Sequence, residues 1–283
     1  MTPFRQLVVN ADDLGLTSAV NDGIFDAHDL GILTSASLFA SAPATGDAIR
    51  RARTRISLGV GAHLTLVDGA PVLPAQSIPT LVTGDGRFRR SWRPFIVACL
   101  RGRVLLDEVE RELSAQIERL IDAGIRLTHL DTHKHVHLYP PVFAIVARLA
   151  ARFGIPVVRV PYEPGSWMNA MLWFWAQHNY RVARSLGLRT PHFVGRLATG
   201  VLTHPALHAM FQAARPGVTE LMVHPGYVDD ALRRMPTRLV ESRLEEVALL
   251  CSMEARALLV GERLQLVRHD LARASRRSLR HVS

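Results

Sequence analysis

The sequence predicts an α/β fold with a mostly parallel, barrel-like sheet, and three observations lead to this prediction. Short apolar runs bounded by Gly, Pro or Asp recur along the chain, as expected of strands buried on both faces. Amphipathic helical patterns separate these runs, and such alternation is typical of parallel sheets. With 283 residues and a hydrophobic fraction of 48%, the chain is long enough for a sizeable core.

Eight runs are predicted to be strands, at residues 6–12, 33–40, 57–66, 127–132, 157–161, 192–195, 220–224 and 264–267. The first helix is predicted to be capped near Thr17 or Ser18 and to stop at Gly31, because hydroxyl side chains favour N-caps and glycine favours C-caps. Apolar stripes predict helices over 106–124 and 142–153, and Pro236 is predicted to open a later helix.

Two stretches interrupt the alternation of strands and helices. Residues 68–103 are rich in Pro, Gly and Arg, and residues 165–200 contain three of the four tryptophans. Both are interpreted as insertions over the active-site face. A basic tail at 270–283 completes what is expected to be one domain spanning residues 1–283.

The formal net charge of +9 comes almost wholly from arginine, since Lys134 is the only lysine. Such a balance suggests an anionic surface nearby, either nucleic acid or the inner leaflet of a membrane. The sequence has no zinc-finger spacing, no RNA-recognition signature and no basic helix interleaved with aromatic residues, so no nucleic-acid partner is expected. Contact with an anionic membrane and a generally arginine-rich surface both stay open.

The cysteines and the N-terminus indicate the compartment. Cys99 and Cys251 lie far apart in apolar helical surroundings, which predicts small buried side chains and fits a reducing environment. The first residues lack an apolar signal-peptide segment, and no run approaches the ~18 apolar residues of a membrane span. A cytoplasmic location is therefore expected, while the oligomeric state is left open between monomer and homodimer.

Two adjacent acids follow the first predicted strand. Asp12 and Asp13 lie at its C-terminal mouth, where catalytic groups of barrel-like α/β folds collect. Because successive strand residues point to opposite sides, one acid can bind a cation while the other stays free as a base. The competing interpretation is that one of them caps the helix that begins near Thr17.

A histidine cluster follows the fourth predicted strand, at His129, His133, His135 and His137, with Asp131 among them. At strand spacing the last three histidines would line one side, which is ligand geometry for a divalent metal, although spacing alone does not say which imidazole binds. His63 lies on the third predicted strand. By itself His63 would be interpreted as a core residue. Because acids and other histidines lie at the ends of neighbouring predicted strands, it becomes a candidate ligand.

Two later strand ends carry a cation and an imidazole. Arg159, in the segment Arg159-Val-Pro-Tyr162, suits the orientation of a carboxylate or another anion. His224, in Val223-His-Pro-Gly226, could serve as an acid near neutral pH. Each residue would be unremarkable by itself, and their positions at successive strand ends make both candidates for catalysis.

Together these motifs resemble those of the YdjC-like carbohydrate deacetylases, relatives of the NodB-type polysaccharide deacetylases. The resemblance covers residues 8–250 and is carried by 9–15 (VNADDLG), 59–64 (GVGAHL), 128–137 (THLDTHKHVH), 159–162 (RVPY) and 222–226 (MVHPG). The family often has histidine where this chain has Lys134, a position between expected ligands. The resemblance implies a barrel-like (β/α) fold and a metal-dependent N-deacetylase.

The resemblance also implies a role for each matched residue. One divalent metal ion would be bound by Asp13, His63 and His133. Asp12 would be the general base, Arg159 would orient that base, and His224 would be the general acid. Zn²⁺ suits these ligands best, with Mg²⁺, Mn²⁺ and Co²⁺ as alternatives. Substrate contacts are expected from His135, His137, Tyr162, Trp167 and Trp173.

The insertions resemble those of the subgroup associated with hopanoid biosynthesis. This resemblance implies an N-acetylglucosaminyl head group on a triterpenoid lipid as substrate, at the inner face of the cytoplasmic membrane. An apolar stretch at 167–175 and arginines interleaved with aromatic residues at 87–93 agree with a surface that meets anionic headgroups. The alternatives are tryptophans that only pack against the barrel, and soluble chitooligosaccharides as substrate.

Two other classes of protein use similar residues. A sugar-binding protein could keep the fold and the metal without the chemistry, and a metal-dependent phosphoesterase or isomerase would also place Asp and His around a metal. The presence of both a base and an acid favours the deacetylase over these alternatives.

Overall fold

The computed structural model describes residues 5–163 and 169–272. Within these ranges seven parallel strands form one sheet: β1 Arg5–Leu14, β2 Ser35–Leu38, β3 Gly59–Leu64, β4 Leu127–Thr132, β5 His192–Val194, β6 Gly217–Val223 and β7 Gln265–Leu266. The strand order is β4-β3-β2-β1-β6-β5. Strand β7 lies beside the first half of β1, where Gln6 pairs with Gln265.

Two parallel bridges continue the sheet from β4 towards β5. Leu130 pairs with Val158, and Val157 pairs with Arg189, shortly before β5 begins. The sheet therefore curls into a barrel-like form, which confirms the predicted fold class. The strand predicted at 157–161 is reduced to these bridges, because Pro161 has no N–H to donate and the Tyr162 amide turns back to the Val160 carbonyl at 2.8 Å.

The described helices are α1 Ser18–Asp29, α2 Thr45–Ala52, α3 Trp92–Leu100, α4 Leu106–Asp122, α5 Pro140–Arg152, α6 Asn169–Ser185, α7 His204–Gln212, α8 Asp230–Arg233, α9 Ser242–Cys251 and α10 Met253–Gly261. Thr17 caps α1 as predicted, since its hydroxyl accepts from the Val20 amide at 3.2 Å. The helix predicted to open at Pro236 begins instead at Ser242. A turn occupies the intervening residues, because the Thr237 hydroxyl accepts from the Leu239 amide at 3.1 Å.

The prediction for the histidine cluster is wrong in one respect. Strand β4 ends at Thr132, and His133–Leu138 form a 3₁₀ helix in which Lys134 and His135 have positive φ angles of 53° and 54°. The histidines from 133 to 137 therefore do not alternate along a strand, and they point in different directions.

The sheet divides apolar from polar side chains. Leu7, Val9 and Ala11 of β1 belong to the hydrophobic core, whereas Asn10 and Asp12 of the same strand are buried polar residues on the other side of the sheet. Asn10 donates to the Ser37 hydroxyl of β2 at 2.9 Å on that concave side. The barrel interior is thus polar, and its charged groups lie towards the C-terminal ends of the strands.

The two interrupting stretches contain helices where the structure describes them. Residues 68–103 include α3, and α6 accounts for much of 165–200. Among the described helices none has both the length and the apolarity needed to cross a membrane. Cys99 and Cys251 are free and half-buried rather than fully buried. Most of the predicted tail at 270–283 lies outside the described residues.

Candidate active site and metal centre

The C-terminal end of β1 holds two acids in different backbone conformations. Asp13 has a φ of 70°, which is uncommon for a residue with a side chain. Asp12 is bonded to Arg159, whereas Asp13 lies against Arg243 and His63. The two carboxylates therefore face different groups although they are neighbours in the chain.

Asp12 is a buried carboxylate with both oxygens occupied by donors. Arg159 Nη1 and Nη2 donate to it at 2.8 and 2.7 Å, and Asn10 Nδ2 donates at 3.0 Å. Burial alone would raise the pKa of Asp12, but the charge and hydrogen bonds of Arg159 outweigh burial and hold that pKa well below its ordinary value. Asp12 is thus ionised and fixed in one orientation.

Arg159 lies inside the barrel among three carboxylates. Besides Asp12 it contacts Asp131 at 2.8 Å, and it contacts Glu220 through Nε and Nη2 at 2.8 and 2.7 Å. Burial opposes its charge, but the three acids outweigh burial and raise the pKa of Arg159 well above its ordinary value. A buried cation held on three sides positions the Asp12 carboxylate rigidly.

Three side chains converge beside Asp12. Asp13 Oδ1 lies 3.5 Å from His63 Nε2 and 3.3 Å from His133 Nδ1, and the two imidazole nitrogens are 3.3 Å apart. All three potential ligand atoms lie within 4.8 Å of one another. Two imidazoles and one carboxylate are a suitable donor set for a divalent metal ion with open coordination positions.

A second group of close donors consists of Asp12, His63 and Asp131. The Arg159 guanidinium already contacts both acids, at 2.7 and 2.8 Å. A cation there would compete with Arg159 for both acids. In the first group an arginine holds only Asp13 Oδ2, and Asp13 Oδ1 still faces the two histidines, so the first group is the candidate metal centre.

Asp131 and Arg243 form hydrogen bonds that orient two residues of the candidate metal centre, His63 and Asp13. Asp131 Oδ1 lies 2.8 Å from His63 Nδ1, which leaves His63 Nε2 directed at Asp13. Arg243 Nη2 donates to Asp13 Oδ2 at 2.6 Å, which leaves Asp13 Oδ1 towards the histidines. Burial lowers the pKa of His63, but Asp131 and Asp13 outweigh burial and raise it to about 10. The site therefore attracts positive charge strongly, and its ligands are oriented by outer partners.

His224 follows the end of β6 and is buried at the wall of the site. Its backbone amide donates to Glu246 Oε2 at 2.5 Å, and its carbonyl accepts from Arg243 at 3.4 Å. Burial lowers the pKa of His224 to about 4, in spite of the opposing charges of Asp13 and Asp12. The imidazole is therefore neutral at pH 7 in this arrangement, and it could act as an acid only after it takes up a proton.

A cavity of about 820 Å³ opens over these groups. The cavity is lined by Asp12, Asp13, His63, His133 and His224. Other residues of its wall are Phe39, Asp68, Arg87, Trp92, Arg196 and Arg238. Ligand pockets typically have about 300–1,000 Å³, so the cavity has room for a sugar of one or two rings.

The expected substrate contacts are distributed unevenly. His135 lines the cavity, and its Nδ1 has no hydrogen-bond partner among residues 5–163 and 169–272. His137 is fully buried elsewhere, between the Thr132 hydroxyl at 2.6 Å and the Arg159 carbonyl at 2.8 Å. Tyr162 and Trp173 do not line the cavity. Trp167 lies outside the described residues.

Sequence reasoning missed Arg243, Glu246, Glu220 and the part played by Asp131. Arg243 and Glu246 are buried on the same face of α9 as Val247 and Leu250. The available signal was a pair of charged residues at positions where an amphipathic helix places apolar ones. Trp92 and Arg87 were noted as part of a possible membrane surface, and they also line the cavity.

Comparison with known proteins gives matches over most of the chain. Residues 6–260 match the family model described as YdjC-like protein. A carbohydrate deacetylase of Brevibacillus brevis is 35% identical over 93% of this chain and 97% of its own length. A carbohydrate deacetylase of Halalkalibacterium halodurans is 34% identical over 87% of this chain and 94% of its own.

Among solved structures, a protein of Enterococcus faecalis V583 has a similar fold. It is described as a candidate cellobiose-phosphate cleavage protein. The match has a TM-score of 0.82 at 26% identity and covers 95% of this chain and 100% of that one.

Proposed function

This chain belongs to the YdjC-like protein family, and we propose that it is a metal-dependent hydrolase that removes the N-acetyl group from an amino sugar. The carbohydrate deacetylases among its relatives support this class of reaction. One observation carries the proposal further: Asp13, His63 and His133 converge on one point, while an ionised Asp12 stands beside them without belonging to the group.

The candidate metal centre fits a divalent ion by its donor chemistry. Two imidazoles and one carboxylate suit Zn²⁺, and Mg²⁺, Mn²⁺ or Co²⁺ are the alternatives. Such an ion, when bound, polarises the acetamide carbonyl and lowers the pKa of water. The protein's own side chains would accept the proton of the attacking water and donate a proton to the leaving amine.

Asp12 is the proposed acceptor of the proton that the attacking water loses. Arg159 holds both of its oxygens, so the carboxylate does not need to reorient during the reaction. Because Arg159 also keeps the pKa of Asp12 low, the carboxylate does not retain the proton. That proton is therefore available to the leaving amine.

His224 is the proposed donor to the leaving amine. It is neutral at pH 7, so it must collect a proton before it donates one. Asp12 lines the same cavity as His224 and is the group that has just taken a proton from water. The water proton thus passes through Asp12 and His224 to the nitrogen as the C–N bond breaks, and acetate and a free amine are released.

The test is acetate release from N-acetylglucosaminyl compounds by metal-free protein, before and after one divalent ion is added back. We expect release only with the ion present, and release by Asp12→Asn with the same ion that is about 10²–10⁴ slower than the wild type. Metal-independent release, or equal release by Asp12→Asn, would contradict the proposed mechanism.

The proposed substrate is the N-acetylglucosaminyl head group of a hopanoid glycolipid, worked on at the cytoplasmic face of the membrane. The resemblance of the insertions to the hopanoid-associated subgroup supports this substrate. Exposed apolar side chains on α3 and α6 also support it, because a free disaccharide would not need them. Preference for the glycolipid over chitobiose, measured as kcat/KM, is the expected result, and equal turnover of both would indicate a soluble chitooligosaccharide deacetylase.

The chain is also proposed to act as one domain over residues 1–283. Strand β7 pairs with β1, so sequence-distant segments share one sheet. Limited proteolysis that releases a stably folded fragment would count against a single domain.

A further inference from the structure

Two helices beside the cavity expose large apolar side chains. Helix α3 and helix α6 both contact the 3₁₀ helix His133–Leu138, which carries cavity residues. We call the exposed apolar residues of these helices the α3–α6 face: Trp92, Val97, Leu100, Met171, Trp173 and Phe174. Their exposed fractions lie between 42% and 65%.

Tyr139 directly follows the 3₁₀ helix that both α3 and α6 contact. Its ring lies 5.4 Å from the ring of Trp175 on α6. Trp173 and Phe174 also contact each other edge to face at 4.9 Å. Both helices of the α3–α6 face therefore pack against the same 3₁₀ helix beside the cavity.

The charged side chains carried by α3 and α6 have one sign. Neither α3 nor α6 contains an Asp or a Glu. Six exposed arginines accompany the two helices, at positions 90, 93, 101, 103, 181 and 184. In the described part of the chain none of the six forms an ion pair with a carboxylate. Arg93 instead lies over the ring of Trp92, 5.4 Å from its centroid.

The charges and the apolar side chains of the α3–α6 face favour one of two possible binding partners, a second copy of the chain or a lipid surface. A second copy of the chain docked through this face would bring arginines against arginines, which opposes self-association. Tryptophan, phenylalanine and leucine flanked by arginine suit the headgroup boundary of a bilayer, where anionic lipids attract the cations. An anionic lipid surface is therefore the occupant that matches both features.

The face also begins at the cavity itself. Trp92 belongs to the exposed face and to the cavity wall, together with Ser91 and Arg87. We propose that the α3–α6 face docks the protein on an anionic lipid bilayer, so that the mouth of the cavity meets the headgroups. The identity of the lipid-linked substrate rests on the proposed function, whereas binding of the face to a bilayer does not.

The test is sedimentation of the full chain with vesicles of phosphatidylcholine alone and of phosphatidylcholine with phosphatidylglycerol. We expect binding to the anionic vesicles that weakens as salt is raised. The double variants Leu100→Asp/Phe174→Asp and Arg93→Glu/Arg101→Glu should each bind at least ~10-fold more weakly. Met253→Asp/Val260→Asp, which changes two exposed apolar residues on α10, is the matched control and should bind like the wild type.

The outcomes separate docking from catalysis. Leu100→Asp/Phe174→Asp should turn over soluble chitobiose like the wild type, which also shows that the variant is folded. Absence of vesicle binding, or an equal loss in the α10 control, would overturn the docking surface. A dimer seen by light scattering that this variant dissociates, without vesicle binding, would assign the face to self-association. Vesicle binding by a protein that releases no acetate would leave docking intact and refute the deacetylase.

Discussion

Asp12 and Asp13 are neighbours in the chain, yet their replacement is expected to have different effects. Asp13→Ala, His63→Ala and His133→Ala each remove a donor of the candidate metal centre and should lose bound metal together with activity. Asp12→Asn should keep the metal and lose about 10²–10⁴ in kcat, because it removes proton transfer only.

Metal content by elemental analysis and acetate release on the same preparations check this prediction. Asp12→Asn keeps the size of the side chain, so a loss of activity in this variant is not caused by a change in packing. An empty Asp12→Asn together with a loaded Asp13→Ala would reverse the assignment of the two carboxylates.

Arg243 is expected to contribute most to the stability of the folded protein when no metal is bound. It is buried, and it is the cation bonded to Asp13 Oδ2 at 2.6 Å. Arg243→Met leaves a buried carboxylate without that partner and should lower the free energy of unfolding by about 3–5 kcal/mol. A metal ion bound at Asp13 supplies positive charge in its place, so added Zn²⁺ should recover part of the loss.

Denaturant unfolding with and without Zn²⁺ measures both quantities. Arg233→Met is the control, since Arg233 forms an exposed ion pair with Glu241 and should cost at most about 1 kcal/mol. If Zn²⁺ stabilises Arg243→Met no more than the wild type, Arg243 does not act through the metal centre.

At the scale of elements, the polar interior of the barrel leaves little room on β3. A Cβ atom added at Gly61 would lie 2.4 Å from His129 Nε2. Gly61→Ala should therefore destabilise the protein by about 1–3 kcal/mol through overpacking. The second change His129→Ala should restore part of that stability, because it removes the clashing ring.

Thermal or denaturant unfolding of the single and double variants checks the prediction at β3. Gly46→Ala on α2 is the matched control, since no atom lies within 4 Å of its added Cβ, and it should be neutral or slightly stabilising. Equal effects at positions 46 and 61 would mean that the interior of the barrel can adapt.

The elements also show what the sequence could and could not predict. Apolar runs and caps predicted β1 to β4, β6, α1, α4 and α5 closely, because local pattern and burial agree there. The turn at Lys134 and His135 was not predictable, because two consecutive non-glycine residues with positive φ have no local signal. The participation of Arg243 and Glu246 arises only when α9 packs against the ends of β1 and β6.

For the whole molecule, buried neutral histidines predict loss of stability in acid. Burial lowers the pKa of His137 to about 4 from an ordinary value near 6.5. As pH falls from 6.5 towards 4, the unfolded chain binds a proton at this residue that the folded protein does not, so stability falls over this window by up to ~3 kcal/mol. Above pH 6.5 this contribution is fully present.

Urea unfolding at a series of pH values between 7.5 and 4 measures the slope. His137→Gln should be less stable at pH 7.5, because the bonds to Thr132 and Arg159 change, but its stability should fall less steeply in acid. Parallel slopes for the two proteins would mean that another group controls the acid response.

The position of β1 in the middle of the sheet has a consequence for synthesis of the chain. Arg5 of β1 pairs with Gly217 of β6, so one edge of this strand finds its partner only after more than two hundred further residues. At about 5–20 residues per second, a ribosome needs roughly 10–40 s to supply them. During that time an apolar strand with unpaired backbone groups is open to other chains. Nascent chains stalled before residue 217 should therefore aggregate, whereas chains extended past β7, which supplies the last partner of β1, should not.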